Sequence, residues 1–593
     1  MEARSVVGAY RHDLDLLKGL AIMAVVLYHA GFCKSGYLGV DVFLVISGYF
    51  IVPKVVREIE AGTFSYFSYL EKRLFRLLPL VLLVSAVALL TGYVGMLPVD
   101  YRYLCEETMA ASIFADNILQ AVTTQNYWAA IYHKVLMHTW YLGVLFQFYV
   151  VFPLLMMLMR KQMRLGLLLL ALLSLVLYLL PIDTIGNKYY LLPYRLFEMA
   201  AGGLLAFTTT PRQSRVPLSE AFLALLTLTV FLGAFTVGER AMPYNLVGGT
   251  NTIRESFLPR ELILLLTVTF TLLYIYVTGT AHRMQHLATR SRVLAPFGRM
   301  SLSLFLWHQP MFAFYRYFFA DELSLQVLLL ILSIVLVLSM VTYALMERRI
   351  RVTRLSRWCL LSAFVVLNAF ALLGYLQGGV VRDVPELDIR KGEADPTVFE
   401  RYTDRIYQYD RDFPEPGTGM RVLVIGNSFA RDFANILLES ADFSRILLSY
   451  HYGIDDCPLS RVRQCDRIYF FGWKHQVPDA VWKNLKPGVE VWGIGTKNHG
   501  SSNGIFYKNR FRADYLEQRT AVADDFHTVN RLLKQEWKGQ YIDLLSLTMQ
   551  ADGTVAVFTP EGRFITYDGK HLTPAGTRYY ARLLQDGSAH SRQ

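Results

Sequence analysis

The chain is poor in cysteine and in charged residues. It has only five cysteines among 593 residues, which excludes a small scaffold held together by disulfides. Charged residues make up 18% of the chain and hydrophobic residues 53%, whereas roughly 25% charge is usual in soluble globular proteins. Long runs of one charge are also missing, because the basic residues behind the formal charge of +11 stand in short clusters between apolar stretches. This pattern excludes a nucleic-acid-binding protein and favours a chain largely embedded in a lipid bilayer.

The first apolar segment lacks the features of a cleaved signal peptide. No small-residue cleavage site follows it, and Lys18 and His29 interrupt its apolar character. We therefore expect this segment to remain in the protein as its first membrane helix.

Eleven apolar stretches are long enough to cross the roughly 30 Å hydrocarbon core of a bilayer. They lie near residues 14–33, 37–53, 74–97, 141–159, 165–182, 190–208, 218–238, 259–279, 300–319, 324–346 and 358–378. A further stretch, 108–122, is shorter and more polar, which favours a partial or re-entrant helix.

The loops between these stretches alternate in charge. Basic residues cluster at 54–76, 160–164, 212–215, 282–292 and 348–357, and the intervening loops are nearly neutral or acidic. Because Lys and Arg close to membrane helices stay on the cytoplasmic side, the N-terminus is expected to be cytoplasmic. Eleven crossings then place the C-terminal region outside, which predicts a multi-pass protein of a bacterial cytoplasmic (inner) membrane with a periplasmic or extracellular C-terminal domain.

The sequence pattern changes after residue 378. A linker rich in charge and proline covers 379–418, and short apolar runs such as RVLVIGNS and VEVWGIG then alternate with helical stretches. That alternation is typical of an α/β domain with a parallel sheet. The predicted organisation is an all-α membrane domain of about ten or eleven helices over 1–357, a linking transmembrane helix over 358–378, the linker, and an α/β domain over 419–593.

Two ionisable residues of the first helix are candidates for chemistry. Lys18 and His29 are eleven residues apart, which places them on nearly the same helix face and about 16 Å apart along the axis. A histidine in a membrane helix is costly unless it faces protein or water, so His29 is a candidate general base or proton relay. A histidine that merely pairs with a neighbouring helix explains the same residue equally well.

A pair of arginines offers a contact for an anionic donor. Arg73 and Arg76 are three residues apart at the cytoplasmic start of a helix, so both guanidinium groups could clamp phosphates. Anchoring of the helix at the cytoplasmic surface is the favoured explanation in the absence of other information.

The C-terminal region contains the three residue types that acyl transfer to a serine requires. Ser428 follows a predicted strand in RVLVIGNSFARDF, and Asp568 and His571 lie together in YDGKHLTPAG. A separation of three residues lets the carboxylate orient the histidine, which would act as the base for Ser428. The backbone N–H of Ser428 is the first candidate donor to the oxyanion.

Six segments resemble, in order, the signature stretches of the membrane acyltransferase family 3. They are YRHDLDLLKGLAIMAVVLYHAG, GYLGVDVFLVISGYFI, EKRLFRLLPL, HTWYLGVLFQFY, RLFEMAAGGLLA and FGRMSLSLFLWHQP. The resemblance spans about residues 10–350 and implies that acyl, expected to be acetyl, moves from a cytoplasmic acyl-coenzyme A to the outside. It implies that acetyl-CoA serves as a substrate rather than as a permanently bound cofactor. Lys18 with His29 resembles the basic-residue-to-histidine pair of the family, and Arg73 with Arg76 resembles its arginine pair for coenzyme A.

Several positions depart from the family pattern. Lys18 stands where the family usually has Arg, which loses bidentate geometry. The stretch commonly written WSLxVEEQFY reads WYLGVLFQFY, so that Leu145 and Phe146 replace both glutamates. Glu198 is the remaining embedded carboxylate of interest, and it either supports the chemistry or serves as a buried partner for Arg195.

The turn Gly-Asn-Ser, coupled to the terminal DGKHLT segment, resembles the SGNH hydrolase domains that are fused behind family 3 membrane domains. The resemblance implies that Ser428, Asp568 and His571 are catalytic. Asn427 stands where the superfamily usually has Asp, so the local hydrogen bonds are expected to differ.

Weaker matches complete this second resemblance. Gly453 and Asn498 loosely resemble the glycine and asparagine of the oxyanion site, although Asn498 could equally cap a loop. Cys457 and Cys465 resemble a cysteine pair often seen in such fused domains, which implies a disulfide, with free or metal-bound thiols as alternatives. No metal site is expected, because the histidines of this region are scattered.

The resulting hypothesis is an O-acyltransferase that acts on hydroxyls of an envelope glycan such as lipopolysaccharide O-antigen or exopolysaccharide. Peptidoglycan as the acceptor, an extracytoplasmic glycan esterase, and a non-catalytic transporter or sensor are the alternatives. The expected partners are acyl-CoA, the glycan and the lipid bilayer, and the sequence does not predict an oligomeric state.

Overall fold

A computed structural model describes residues 11–33, 35–123, 134–180, 188–208, 260–280, 294–320, 322–391, 398–415, 417–454 and 456–590. Two regions of different architecture follow each other along the chain. Helices make up the first, which ends at Leu376, and a parallel sheet that begins at Met420 organises the second.

The N-terminal region is helical, as apolar runs of this length require in a bilayer. Its helices are α1 (His12–His29), α2 (Gly39–Glu60), α3 (Tyr66–Gly95), α4 (Pro98–Ser112), α5 (Asp116–Thr123), α6 (Trp140–Leu158), α7 (Met163–Leu179), α8 (Leu192–Thr208), α9 (Arg260–Thr280), α10 (Leu294–Arg299), α11 (Ser301–Phe318), α12 (Leu325–Thr342) and α13 (Arg354–Leu376). Ten of the eleven predicted stretches coincide with one of these helices. The remaining stretch, 218–238, lies outside the described residues.

Six helical segments among the described residues are long and apolar enough to cross a membrane. They are Gly36–Glu60, Tyr66–Gly95, Met137–Leu158, Glu261–Thr278, Leu325–Glu347 and Arg354–Leu376. The expected eleven spans exceed this number because other helices are short, as α7 is, or carry charge, as α1 does at Asp13, Asp15 and Lys18. A multi-pass, mostly helical membrane region is nevertheless the observed architecture.

The polar segment predicted as a partial or re-entrant helix is divided between α4 and α5. The chain breaks between them at Phe114, which has a φ of 56°. Two buried carboxylates flank the break: Asp116 accepts a hydrogen bond from the Thr139 hydroxyl, and Glu107 accepts one from the Leu136 N–H. The polarity of this segment therefore serves internal hydrogen bonding.

Close packing of α2 against α8 depends on glycine. A Cβ atom at Gly48 would lie 1.8 Å from a backbone oxygen of α8, and one at Gly202 would lie 2.1 Å from a backbone oxygen of α2. Small residues let membrane helices approach in this way. The approach brings Asp41 of α2 beside Arg195 and Glu198 of α8.

The C-terminal region is an α/β domain with a parallel sheet, as predicted. Its strands are β1 (Met420–Gly426), β2 (Ile446–Tyr452), β3 (Arg467–Phe470), β4 (Glu490–Ile494), β5 (Arg519–Ala521), β6 (Tyr541–Ile542) and β7 (Thr554–Ala556). Its helices, with one that precedes the sheet, are α14 (Val398–Asp404), α15 (Ser428–Glu439), α16 (Leu459–Gln464), α17 (Asp479–Lys483), α18 (Asn503–Tyr507), α19 (Asp524–Trp537), α20 (Leu544–Thr548) and α21 (Pro574–His590). Five parallel strands have the order β2-β1-β3-β4-β6, and β5 pairs with β7 in the antiparallel sense.

The predicted linker packs on both sides of the junction. Arg382 donates three hydrogen bonds of 2.8 Å to backbone carbonyls at the end of α3. Further along, Arg405 forms an ion pair of 2.8 Å with Glu439 of α15. The charged residues of this segment therefore hold it against the membrane domain at one end and against the α/β domain at the other.

Candidate active site

Ser428 lies at the carboxyl edge of the parallel sheet. β1 ends at Gly426, α15 begins at Ser428, and the strand order reverses on either side of β1. Ligands bind at such switch points in open α/β sheets. The Asn427 Oδ1 atom accepts the Phe429 N–H at 2.9 Å and caps α15. An aspartate has the same oxygen, so the departure at Asn427 leaves the cap intact.

Ser428, His571 and Asp568 form a hydrogen-bonded chain. The His571 Nε2 atom lies 2.9 Å from the Ser428 Oγ atom, and its Nδ1 atom lies 2.7 Å from the Asp568 Oδ2 atom. Because a carboxylate only accepts hydrogen bonds, Nδ1 carries the proton and Nε2 accepts the hydroxyl of Ser428. The structure thus brings together the three residues that the sequence singled out for this domain.

A glycine turn sets the positions of the acid and the base. The Asp568 Oδ1 atom accepts the backbone N–H of Lys570 at 3.0 Å and that of His571 at 2.8 Å. Gly569, between them, has a φ of +82°, and a Cβ atom there would lie 2.0 Å from the Gly500 carbonyl oxygen. Only glycine fits this conformation and this contact.

Asp568 and His571 each stabilise the charged form of the other. Desolvation raises the pKa of Asp568, but the charge of His571 and the hydrogen bonds to the carboxylate outweigh it and hold the pKa below its usual value. Desolvation lowers the pKa of His571, but the Asp568 carboxylate outweighs it and raises the pKa. His571 is therefore a stronger base than an isolated histidine. Water reaches 30% of the His571 side chain and 51% of the Asp568 side chain, so a substrate can approach.

Asn498 does not serve as an oxyanion donor in this structure. Its Nδ2 atom donates to the carbonyls of Gly500 at 3.0 Å and Gly569 at 3.4 Å, and its Oδ1 atom accepts the Ala523 N–H. Both amide hydrogens are used to hold the loops around the catalytic turn. The loop-capping role that the sequence left open is the one observed.

The backbone N–H of Gly453 is engaged within the sheet in this structure. Its N–H donates to the Gly426 carbonyl at 3.1 Å and extends the pairing of β2 with β1. The backbone N–H of Ser428, at the positive end of α15, stays the candidate donor.

Sequence reasoning missed a buried ion pair next to the catalytic residues. The Lys497 Nζ atom lies 2.8 Å from the Asp432 Oδ2 atom, and water reaches at most 2% of either side chain. Asp432 follows Ser428 by one helical turn and also accepts the N–H of Leu572, which adjoins His571. The pair therefore ties α15 to the catalytic loop. The signal was a lysine three residues after the apolar strand in VWGIGTK.

The implied disulfide is absent. Cys457 and Cys465 are both free cysteines, and the buried thiol of Cys465, just after α16, donates to the Val462 carbonyl of that helix. Burial raises the pKa of the Cys457 thiol to about 11 and that of the Cys465 thiol to about 12, which makes both thiols inert nucleophiles. Within the described part of the chain, no group of three or more His, Cys, Asp or Glu side chains is placed to hold a metal ion.

His29 ends α1 in a buried cluster of polar side chains. Its Nδ1 atom lies 2.5 Å from the Gln309 Oε1 atom, and its ring centroid lies 4.8 Å from that of His308. The ring of His308 lies 5.5 Å from that of His138, and Arg316 donates to the His29 carbonyl at 2.7 Å. An amide oxygen accepts, so Nδ1 carries the proton and Nε2 offers a lone pair. His29 thus pairs with a neighbouring helix and still keeps one nitrogen for proton transfer.

The partners of His29 were not identified from the sequence. His308 and Gln309 lie in the motif FGRMSLSLFLWHQP, where their polarity in an apolar run was a usable signal. His138 precedes α6 in HTWYLG, and nothing in its local pattern pointed to His29.

The predicted donor-binding cations lie near the other end of α1. Lys18 forms a loose ion pair of 3.8 Å with Asp15, and its charge and that of Arg76 act on each other. The Arg73 guanidinium carbon lies 5.3 Å from the ring centroid of Tyr149. Arg76 therefore lies near Lys18, and His29 is about 16 Å from Lys18 along the axis of α1.

Glu198 is a buried partner of Arg195. Their nearest side-chain atoms are 3.1 Å apart, and Asp41 pairs with the same guanidinium group. Where the family usually has glutamates, Phe146 stacks on Phe114 with ring centroids 4.2 Å apart. Apolar side chains therefore stand at both of these positions.

The N-terminal part of the chain is similar to known proteins. A family model described as an acyltransferase domain, acyltransferase family 3, matches residues 11–346. Over 236 residues the chain is 29% identical to a putative membrane-bound transacylase, BcsY, of Komagataeibacter xylinus. The aligned region covers 39% of this chain and 60% of that protein. Over 331 residues it is 26% identical to the O-acetyltransferase OatA of Staphylococcus aureus, which is 53% of this chain and 52% of that protein. A putative O-acetyltransferase of the same species is 25% identical over 337 residues, again 53% of this chain and 52% of that protein.

The aligned regions cover only part of each relative. The chain spans between half and three fifths of the length of these curated relatives, and no solved structure matches it. The matched family region nevertheless covers more than half of the chain and includes Lys18, His29, Arg73 and Arg76. This chain belongs to acyltransferase family 3.

Proposed function

We propose that the chain is an O-acyltransferase that carries an acyl group, expected to be acetyl, from cytoplasmic acyl-coenzyme A to a hydroxyl of an envelope glycan. The observation that carries the proposal is the Ser428–His571–Asp568 chain in a domain fused to a family 3 membrane region. The proposed acceptor is lipopolysaccharide O-antigen or an exopolysaccharide. Two relatives named O-acetyltransferases support acyl transfer to oxygen.

The donor binds on the cytoplasmic side in this proposal. The cations of Lys18, Arg73 and Arg76 hold the phosphates of acyl-CoA. The pantetheine arm then extends along α1 and places the thioester near His29. With its Nδ1–H held by Gln309, the neutral ring has the Nε2 lone pair available to accept a proton and pass it to the departing thiolate.

The outer domain, as an SGNH-type domain, completes the transfer. The Ser428 Oγ atom attacks the acyl carbonyl while His571 Nε2 takes its proton, and the Ser428 N–H stabilises the oxyanion. The acyl–sulfur bond breaks, and the proton that His571 took is relayed through the His29 Nε2 atom to the thiolate, which leaves as CoA. An acyl ester of Ser428 and a neutral His571 result. His571 then deprotonates a glycan hydroxyl, which attacks that ester, and the proton returns to Ser428. The net reaction exchanges one thioester for one glycan ester.

This reaction requires a defined orientation. The N-terminus and the basic loops lie in the cytoplasm, and the α/β domain lies in the periplasm or outside the cell. Apolar side chains exposed along α12 and α13, such as Leu329, Leu330 and Val366, contact lipid in this arrangement.

The test is mass spectrometry of envelope glycans from cells that lack the protein and are complemented with variants. We expect wild type and Ser440→Ala, a serine-to-alanine control at the far end of α15, to restore a glycan acyl ester. His29→Ala and Ser428→Ala should not restore it. A rise in glycan acylation in cells that lack the protein would replace the proposal with an esterase, and unchanged glycans would contradict acyl transfer to them.

A further inference from the structure

The two domains meet in a shared apolar cluster. Its buried members come from the membrane domain, the linker and the α/β domain, and they are Leu97, Val384, Phe506, Tyr507, Tyr515, Val557, Phe558 and Phe564. The linker adds a backbone bond, because the Phe564 N–H donates to the Glu386 carbonyl at 2.9 Å. The α/β domain is therefore seated against the membrane domain in a defined register.

Tyr317, near the end of α11, lies at the centre of this junction. Its hydroxyl accepts the Leu97 N–H at 2.9 Å and donates to the Asp100 Oδ2 atom at 2.8 Å. On the other side, its carbonyl accepts the Ser502 hydroxyl at 3.3 Å. A Cβ atom at Gly504 would lie 2.3 Å from the Tyr317 ring, so the outer domain approaches this tyrosine as closely as glycine allows.

Residues next to Tyr317 and next to its partner Ser502 make hydrogen bonds at the two candidate centres. The preceding residue, Arg316, donates to the carbonyl of His29 at 2.7 Å. In the opposite direction, Asn503 adjoins Ser502 and donates its side-chain N–H to the Thr566 carbonyl. Thr566 is two residues before Asp568, on the turn that holds the catalytic acid and base.

Asp100 also interacts electrostatically with Asp568 of the catalytic turn. It lies outside the apolar spans, and desolvation raises its pKa to about 6, to which the negative charge of Asp568 adds. The hydrogen bond from Tyr317 opposes that rise. Asp100 therefore lies within electrostatic reach of the catalytic acid of the other domain.

We infer that Tyr317 and Asp100 are positioning residues that align the outer catalytic turn with the exit from the His29 centre. In this arrangement the acyl group passes to Ser428 without release into solution. The inference rests on the proposed function and adds the residues that couple its two halves. It requires no new bond: these residues set the relative position of the two centres, and a misplacement of about 1 Å can cost a factor of 100 in rate.

Three readouts on purified full-length protein in lipid vesicles separate coupling from the activity of each centre. Hydrolysis of p-nitrophenyl acetate that depends on Ser428 reports the outer centre alone. Binding of acetyl-CoA reports the donor site alone, and transfer of labelled acetyl from acetyl-CoA to glycan reports both centres with their coupling.

We expect Tyr317→Phe and Asp100→Asn to lower glycan transfer about 100-fold while hydrolysis and acetyl-CoA binding stay at wild-type levels. Gly504→Ala should give the same split, because its Cβ atom displaces the outer domain from the Tyr317 ring. The matched control is Tyr541→Phe, which removes a hydroxyl bonded to Asn530 at 2.7 Å in the α/β domain, away from the junction. Its transfer should equal that of wild type.

Each other result overturns the inference. Wild-type transfer in all three junction variants would mean that the register of the domains does not matter. Loss of hydrolysis together with transfer would assign Tyr317 and Asp100 to the folding of the outer domain. A wild-type protein without Ser428-dependent hydrolysis and without transfer would instead remove the proposed function on which the inference rests.

Discussion

Each of the two candidate centres contains a histidine whose Nδ1 atom is held by a side-chain oxygen, but the two oxygens differ in charge. In the membrane domain the oxygen belongs to the amide of Gln309, and in the α/β domain it belongs to the carboxylate of Asp568. A carboxylate orients the ring and also stabilises its protonated form, whereas an amide only orients it. The outer histidine is thus built to take up a full proton, and the inner one avoids a further buried charge where charge is costly.

The largest expected effect comes from making the outer centre resemble the inner one. Asp568→Asn should lower Ser428-dependent ester hydrolysis by about 10⁴-fold. It should also move the acid limb of the pH profile. The base must be neutral to act, so wild-type activity falls as the pH drops through the raised pKa of His571. Without the carboxylate that pKa falls, and the residual activity should persist to lower pH.

The measurement is the pH dependence of kcat/KM for p-nitrophenyl acetate in wild type and Asp568→Asn. Asp514→Asn, an exposed aspartate paired with Arg512, serves as the control and should leave the profile unchanged. An acid limb that stays in place or moves to higher pH would refute the role assigned to Asp568.

The second charge pair of the outer domain should matter for stability. Lys497→Met leaves the carboxylate of Asp432 buried without its partner, and we expect it to lower the free energy of unfolding by about 3–5 kcal/mol. Because two apolar residues need no ionic partner, Lys497→Met combined with Asp432→Leu should recover most of that loss. Denaturant unfolding of the full-length protein, followed by Trp fluorescence, measures both. Equal stability of the single variant and wild type would contradict the stabilising role of the Lys497–Asp432 ion pair.

A smaller effect is expected when the inner centre is made to resemble the outer one. Gln309→Glu places a carboxylate beside His29 and favours the protonated ring, which no longer accepts a proton. Glycan transfer should fall by about 100-fold, the lower end of what a general acid–base group contributes, while Ser428-dependent hydrolysis stays unchanged. Gln147→Glu, at an amide bonded to Asn117 elsewhere in the membrane domain, controls for the added charge. Increased glycan transfer in Gln309→Glu would contradict the claim that His29 acts as a neutral ring held by an amide.

The smallest effect concerns the cysteines of the outer domain. Since Cys457 and Cys465 are free in the structure, a reductant should leave the Tm of the protein unchanged. Both thiols should react with iodoacetamide after unfolding without reduction, as peptide mass spectrometry would detect. A cross-linked peptide pair from protein isolated without reductant would restore the disulfide that the family resemblance implied.

Local patterns in the sequence predicted most of the fold. The apolar runs placed ten helices correctly because hydrophobic length and helical structure are coupled in a bilayer. Ser428, Asp568 and His571 could be identified because a strand-turn-helix motif and a three-residue spacing are both local features. The number of spans was less accurate, since length and charge place helices such as α1 and α7 near the limit of what a bilayer accepts.

Contacts between distant segments could not be predicted in the same way. Lys497 and Asp432 are 65 residues apart, and His29 and Gln309 are separated by 280 residues. Periodicity reports only which residues share a face of one element, so it cannot pair such side chains. Asn498 could not be judged from the sequence for a related reason. Its residue type suited an oxyanion donor, but one of the loop carbonyls that accept its amide hydrogens comes from a distant part of the chain.

The most direct test of the account is to look for an acyl ester on Ser428. Vesicles that expose only the cytoplasmic face of the protein are supplied with labelled acetyl-CoA and no glycan, and the peptide that contains Ser428 is analysed by mass spectrometry. The account predicts an acetyl group on Ser428 in wild type and none in His29→Ala. Acetylation of Ser428 without His29, or its absence from a wild-type protein that still acylates glycan, would contradict transfer from one centre to the other.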